Sequence, residues 1–527
     1  MFAYDKYWES KKNELKTVSS DTFLQDALKH GYFPEAGVLP DFFEADFDSS
    51  QYDKVVVTLS EKKDSLGKRR TKYEPNLFDL VKFTHTNGSG YRIYSLIHPF
   101  HYWMICKEIA DNLPQIISTL TKKRNIVSYS IPNLENLEMR REDGINSWLR
   151  MAEHDLISES GEYKYLLKAD ISSFYASIYT HSISWAIHGR RKAKDERNNY
   201  RLLGNRLDKL AQNSNSGQTN GLPIGPVTSD ILSELVLADV DEQISRRLSK
   251  IRIKYRAARY KDDYRFLAKT QEDALTIKKV LTEVLHEYGL DINQKKTDIS
   301  DDIVATYARE WKKTLRSYGL DEINPKDVYD INRILDAIYH QQKLTKDYQP
   351  ALSTLELLYQ SVKNADIDFN EAIVDEIVAK LVHLYRLLPS SLSHCIQLID
   401  LLLKNQSIEI KKAQISRVGG YYQKVGDDDS TAWIYRLWLQ VSEEDANNFI
   451  NNISDKSQML RILKREWIFA DNNYSNGGFS RNSVSLVSDA LIETAQERPI
   501  IVGFRYNGEL IEEIVTDDSE SEPSFDF

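Results

Sequence analysis

Arg259-Tyr260-Lys261-Asp262-Asp263-Tyr264-Arg265-Phe266 sets two adjacent acids between an Ala-Arg-Tyr run and a Tyr-Arg-Phe-Leu run, both with the composition of strands. The pattern predicts a hairpin with the acids at its bend. Adjacent carboxylates on a tight turn repel each other and cost stability unless a cation neutralises them, and hard oxygen donors select Mg2+ or Mn2+. Taken alone, the pair reads more simply as a solvated acidic turn, so the flanking segments decide.

Upstream, Lys168-Ala169-Asp170-Ile171-Ser172-Ser173-Phe174-Tyr175 places an acid at the end of the apolar run Tyr165-Leu166-Leu167 and an aromatic five residues later. A carboxylate at a strand's carboxyl end points into a crevice. Two metals about 3.5–4 Å apart need carboxylates from more than one segment, and Asp170 with Asp262 supplies such a bridge. Between them lies Gln218-Thr219-Asn220-Gly221-Leu222-Pro223-Ile224-Gly225-Pro226-Val227-Thr228-Ser229, an uncharged Gly/Pro-punctuated loop before a helical pattern that runs to Leu248. Its glycines let backbone approach a ligand, or cap the helix. Downstream, a helical stretch ends at Gly289-Leu290-Asp291-Ile292-Asn293-Gln294-Lys295-Lys296-Thr297, whose lysines are either solvated or placed to meet a departing pyrophosphate.

The net charge of −10 argues superficially against a polyanionic partner. The charge is uneven, however: residues 301–527 carry 24 basic and 37 acidic side chains, against 45 and 42 in residues 1–300. Any chemistry on nucleotides therefore belongs in the front. Cys106 and Cys395 are the two cysteines, with no C-x-x-C pair, and no run approaches the roughly 20 apolar residues of a membrane span. A cytoplasmic, non-membrane protein is expected. The histidine pairs His98 with His101 and His181 with His188 lack suitably spaced partner ligands for a metal. No Walker-type loop and no Ser-His-Asp order is supported.

The periodicity divides the chain into a front segment, 1–90; an α+β region, 91–300; a helical region, 301–513; and an acidic tail, 514–527, expected to be disordered. Helices are predicted near 330–343, 350–363, 371–388, 391–404, 431–442 and 456–469. In the third, Ile373, Ile377, Leu381, Leu384 and Leu388 share one face. Pairing of successive helices fits either a solenoid or an irregular bundle.

Taken together and in this order, the segments resemble the palm of reverse transcriptases. Asp170 with Phe174 and Tyr175 resembles their first acidic motif, and Tyr260-Lys261-Asp262-Asp263 resembles their Tyr-x-Asp-Asp box. Gly221 to Ser229 resembles their nucleotide loop, and Gly289-Leu290 with Lys295-Lys296 their later lysine motif. The resemblance implies a fingers-palm domain followed by an all-α HEAT-like domain. It implies metal binding by Asp170, Asp262 and Asp263, with Ile171 as an adjacent metal position, and Lys296 as general acid. It also implies nucleotide contacts from Arg92, Tyr175, Gly225, Ser229 and Lys295, Tyr175 excluding a 2′-hydroxyl. Tyr91-Arg92-Ile93 and His98-Pro99 resemble the first fingers motif of the bacterial enzymes. Two departures stand out: Ile224 replaces a frequent Gln, and Lys261 occupies a position usually small or apolar, where it contacts phosphate or points away.

Ser172 through Gly189, together with the helical rear, resembles the bacterial abortive-infection (Abi) reverse transcriptases. That resemblance implies anti-phage defence, DNA synthesis from dNTPs without a directing template, priming from a protein hydroxyl so that DNA stays attached to protein, and homo-oligomers. Among 30 tyrosines no primer can be chosen; Tyr4, Tyr7 and Tyr32 are candidates that read better as packing residues. The alternatives are a templated RNA-directed DNA polymerase, a catalytically vestigial helical scaffold, and a metal-dependent phosphodiesterase, the last leaving Tyr175 and the Gly221 loop unexplained.

Overall fold

The strands that the acids were expected to join are the centre of a five-stranded sheet with the order 298–300, 165–170, 263–268, 255–260, 126–128. The computed structural model describes residues 3–34, 37–40, 43–47, 60–63, 69–72, 79–87, 90–137, 142–151, 156–159, 161–303, 323, 325–345, 348–364, 367, 371–422, 428–453, 458–463, 484–486 and 501–506. Neighbouring strands are antiparallel except Ile126–Ser128, which runs parallel to Tyr255–Tyr260. Leu166, Leu167, Phe266, Leu267 and Ala268 are all buried, so the sheet is covered on both faces at that end. The helix Gln271–Glu287 packs on Tyr165–Asp170 and Asp263–Ala268. It buries Ala274, Ile277, Val280, Leu281, Val284 and Leu285, and Thr270 caps its start by accepting from the Asp273 amide at 3.0 Å.

The helix Val227–Lys250 is buried on every side from Val227 to Asp241, the property of a core helix rather than an amphipathic surface one. Its buried acids are all partnered. Asp239, for example, takes the Lys122 ammonium at 2.8 Å and the Tyr288 hydroxyl at 2.5 Å. The helix starts tightly: the Val227 amide donates to the Gly31 carbonyl at 2.7 Å, and a Cβ on Gly31 would lie 2.4 Å from Val227 Cγ1.

Ahead of the sheet, Val81–Asn87 and Gly90–Leu96 form an antiparallel hairpin in which Asn87 faces Gly90. The Ser95 amide donates to the Ile224 carbonyl at 2.9 Å, tying this hairpin to the glycine loop.

In the rear, described helices occupy Val328–Thr345, Tyr348–Lys363, Glu371–Leu387, Leu392–Leu403, Ile408–Tyr422, Asp428–Leu439, Glu443–Asn451 and Gln458–Leu463. Ile377, Leu381, Leu384 and Leu388 are buried as their spacing requires. Ile408–Tyr422, which the periodicity missed, carries a Gly419-Gly420 pair that weakens the helical signal, but Ile415 and Val418 anchor it in the core. Alternate helices stack into two rows. Val328–Thr345, Glu371–Leu387 and Ile408–Tyr422 pack in series, as do Tyr348–Lys363, Leu392–Leu403 and Asp428–Leu439.

The expectation of an all-α region through 513 is corrected: Val484–Leu486 and Ile501–Tyr506 are strands, and Ile501–Tyr506 also pairs in parallel with Glu44–Phe47. Ile501, Val502 and Phe504 are branched or aromatic residues suited to a pleated surface, a local signal outweighed by the long helical pattern before it. The acidic tail 514–527 lies outside the described residues. No described helix is long and apolar enough to cross a membrane.

The rear docks on the front hairpin through two acids that open a helix. Asp428 Oδ2 accepts from the Thr84 amide at 3.0 Å and Asp429 Oδ2 from the Thr86 amide at 2.7 Å, while Asp429 Oδ1 lies 3.0 Å from His85 Nδ1. These carboxylates satisfy amides on an otherwise open strand edge. In an Asp428→Ala, Asp429→Ala variant, amide hydrogen exchange at Thr84 and Thr86 is expected to accelerate at least about tenfold, a ~1.4 kcal/mol effect per amide. Unchanged exchange there contradicts this docking mode.

Candidate active site

Tyr260 and Asp263 face each other across the hairpin, which leaves Lys261-Asp262 as a two-residue loop. Lys261 has φ +51°, the left-handed conformation such loops need at their first residue but which costs a long side chain energy. Three contacts hold it there. The Lys261 amide donates to Ser130 Oγ at 2.7 Å, its carbonyl accepts from Arg259 Nη1 at 3.2 Å, and its ammonium donates to Asp230 Oδ1 at 3.2 Å.

Arg259 is fully buried, so its charge must be matched inside the protein. Its Nη1 and Nη2 donate to Glu234 at 2.9 and 3.0 Å, and its Nε to Asp241 Oδ2 at 3.1 Å. Ser130 and Ser128 hydroxyls donate to Glu234 at 2.6 and 2.9 Å, and the Tyr264 hydroxyl donates to Asp241 at 2.9 Å. Burial opposes the Glu234 anion, yet the adjacent Arg259 and the serine donors hold its pKa below the usual carboxylate value.

Asp170 faces Asp263 in the strand register, and the Ile171 amide donates to the Asp262 carbonyl at 3.1 Å. The expected trio of acids is thereby brought to one end of the sheet's central strands. Burial raises the pKa of Asp262, and the nearby Asp170 charge raises it further. Burial likewise pushes Asp263 up to about 6, with Asp262 and Asp170 adding to the rise against the opposing Arg265. Arg265 Nη2 donates to Asp263 Oδ2 at 2.9 Å and lies over the Trp148 ring. Among the described residues no group of three or more His, Cys, Asp or Glu converges as a ready metal cluster. The Asp263 carboxylate is held by Arg265, and that of Asp170 lies 3.2 Å from the Lys296 ammonium.

The carboxylate oxygens of Asp170 and Asp262 nevertheless fit a divalent cation. They are hard donors from two segments fixed edge to edge, and their mutual repulsion is what a cation relieves. Ile171 offers no side-chain donor, so its place beside the acids leaves its backbone as the possible contribution.

Lys296 sits on the turn that follows the helix Gln271–Glu287. That turn is tied down by the Asn293 amide, which donates to the Asp170 carbonyl at 2.7 Å, and Gly289 relieves it at φ +74°. Lys295 and Lys296 are exposed, as is Arg92 on the front hairpin. Ser229 is buried. Gly225, at φ +137°, has Pro34 Cγ 3.1 Å from where a Cβ would sit, so its lack of a side chain serves close packing. Gly221, at φ +91°, similarly lets the loop approach the Ala176 carbonyl.

Tyr175 is held from two sides. Its hydroxyl donates to Asp230, and the Lys261 ammonium lies 5.6 Å from its ring centroid. Lys261 therefore neither reaches outward nor points away: it links the hairpin, Tyr175 and the buried Asp230. Neither Asp230 nor the Arg259 network was singled out in the sequence; the available signal was the run of acids on the otherwise apolar helix Val227–Lys250.

His181, expected to lack an acidic partner, has Asp208 beside its Nδ1, a pairing made by folding across 27 positions. Tyr32 is buried with its hydroxyl donating to the Ile97 carbonyl at 2.7 Å, and Tyr7 stacks on Tyr129 at 4.1 Å, so both are packing residues.

Asp263 gives a pH test. A carboxyl with a higher pKa folded than unfolded favours the fold while protonated; this contribution is complete below the ordinary value of 3.8 and is lost as pH rises through about 6. Without divalent cations, wild type is expected to lose stability relative to Asp263→Asn between pH 4 and pH 7, read by chemical denaturation. A pH-independent difference contradicts the assigned environment.

Residues 87–320 match the family described as reverse transcriptase (RNA-dependent DNA polymerase). Among solved structures, the chain is similar to apo telomerase from Candida tropicalis, at 12% identity and TM-score 0.33, over 80% of this chain and 72% of that one. It is also similar to telomerase from Candida albicans with the TWJ fragment of telomeric RNA, at 10% identity and TM-score 0.30, over 78% and 69%. No curated protein matches.

Proposed function

This chain carries a reverse transcriptase domain and is a nucleotidyltransferase of the DNA polymerase type, and from that premise we propose that it builds DNA from dNTPs at Asp170 and Asp262 without a directing template, primed from a protein hydroxyl, in anti-phage defence. The observation that carries the polymerase reading is the register that sets Asp170 beside the Asp262-Asp263 turn, with Tyr175 fixed nearby. Bound Mg2+ or Mn2+ ions would activate the attacking hydroxyl and neutralise charge on the transferred and leaving phosphates.

The chain's own groups do the rest. Asp170 and Asp262 would hold the cations, with Asp263 beside them. The nucleophile's hydroxyl gives up its proton to solvent, its oxygen bonds to the α-phosphorus as the bond to pyrophosphate breaks, and Lys296 gives a proton to the leaving oxygen. Arg92 and Lys295, both exposed cations, meet the triphosphate; Gly225 and Ser229 shape the loop behind the nucleotide. The Tyr175 ring, braced by Lys261 and Asp230, stands where a 2′-hydroxyl would need space, so deoxynucleotides are selected.

Template independence rests on the Ser172–Gly189 resemblance and on Ile224 and Lys261, with Lys261 turned to Asp230. The two stacked rows of rear helices support a HEAT-like domain in place of an ordinary thumb, and homo-oligomers are part of the same reading. The second reading, templated RNA-directed synthesis, is favoured by the description of the matched family.

Purified protein with Mg2+ and labelled dNTPs, without nucleic acid, decides between them. Label retained on denatured protein, lost by at least about 100-fold in Asp262→Asn, is the expected result. Incorporation only with added RNA template and primer overturns template independence. No incorporation under either condition overturns catalysis and leaves a vestigial scaffold.

A further inference from the structure

Residues between 179 and 212 enclose a cavity of about 440 Å³ that includes none of the carboxylates, loop glycines or lysines of the candidate active site. It adjoins that site through backbone: Tyr179 bridges Asn220, and the Thr180 amide donates to the Thr219 carbonyl at 2.8 Å. Its volume is that of a small-molecule site.

The lining is cationic. Lys194, Arg197 and Lys209 contribute to it, and among the described residues neither Arg197 nor Lys209 pairs with a carboxylate. One acid lines it, Asp208, and it is already engaged: Gln212 Nε2 donates to its Oδ1 at 2.7 Å and His181 Nδ1 meets its Oδ2. The hydrogen bond to Asp208 raises the His181 pKa, so the imidazole also tends toward a cation. A cavity whose one acid is engaged while its cations are open selects an anion.

The walls are also aromatic. Tyr179 and Tyr200 are half-buried, and Tyr179 stands edge-on to His181 with centroids 4.7 Å apart. Trp185 is buried beneath Arg190 and Lys194, whose charged groups lie 4.6 and 5.6 Å from its ring centroid. Inorganic phosphate would use the cations and leave the tyrosine faces idle, whereas a nucleotide uses both.

We propose that this cavity is a second nucleotide-binding site, separate from the catalytic one, with the base against Tyr179 and Tyr200 and the phosphate against Lys194, Arg197 and Lys209. The occupant is either a free nucleotide or one unit of a single DNA strand, since both present the same base and phosphate. The assignment stands on the cavity's own chemistry and does not depend on how the catalytic site is primed or templated.

The test uses the full chain in EDTA, which denies the carboxylate site its cations, with two probes: mant-dATP and fluorescein-labelled octathymidylate, read by anisotropy. Binding of either probe is expected, weakened about tenfold or more by Arg197→Glu with Lys209→Glu and by Tyr200→Ala, and unchanged in Asp262→Asn. Circular dichroism confirms that each variant is folded, and Arg197→Lys is expected to retain binding. Loss confined to mant-dATP identifies the free nucleotide, and loss confined to octathymidylate identifies the strand; either supports the site. No binding by wild type, binding that survives both variants, or loss on charge reversal with Tyr200→Ala unaffected overturns it.

Discussion

A guanidinium with no access to water holds the acidic hairpin in place. Arg259 sits between Glu234 and Asp241, two acids on the helix Val227–Lys250, and Arg124 Nε adds a second cation 3.6 Å from Asp241. Two buried cations thus face two buried anions. Such a group is costly to desolvate, and removing one member leaves an unpaired buried charge, a loss of about 3–5 kcal/mol. What the cluster specifies is position. Arg259 and Ser130 grip the Lys261 carbonyl and amide, so the bend can form in one place only, and Asp262 follows it.

The strain at Lys261 has a use in that frame. A glycine would take a positive φ at no steric cost, but it would supply no ammonium to neutralise Asp230 and none to lie against the Tyr175 ring. One lysine therefore couples the turn that carries the acids to the aromatic that borders them. The coupling runs through the first turn of the same helix that clamps Arg259, so the acidic turn and Tyr175 share a rigid support.

Much of this was legible in residue order. Strand texture around Asp262-Asp263 and before Asp170, the Gly/Pro loop and the later lysines pointed to the central strands and the acids at their ends, because short-range pattern determines strands and turns. Six of the eight described rear helices were read from apolar spacing, within a few residues at most ends, whereas Ile408–Tyr422 and Glu443–Asn451 were missed. What escaped were interactions between residues distant in sequence. Asp230, Glu234 and Asp241 look like ordinary helix acids until folding buries them, and His181 shows no partner until Asp208 is brought to it. The strand Ile501–Tyr506 escaped for the opposite reason, its local signal being overruled by the helical texture before it.

The central proposal is that Asp170 and Asp262, held together by the strand register and the buried arginine, jointly hold the divalent cations. Anomalous diffraction from crystals soaked in Mn2+ with a dNTP tests it directly. The account predicts manganese density bridged by the Asp170 and Asp262 carboxylates and lost in Asp262→Asn. Manganese bound elsewhere on the chain, with these two carboxylates bare, would contradict it.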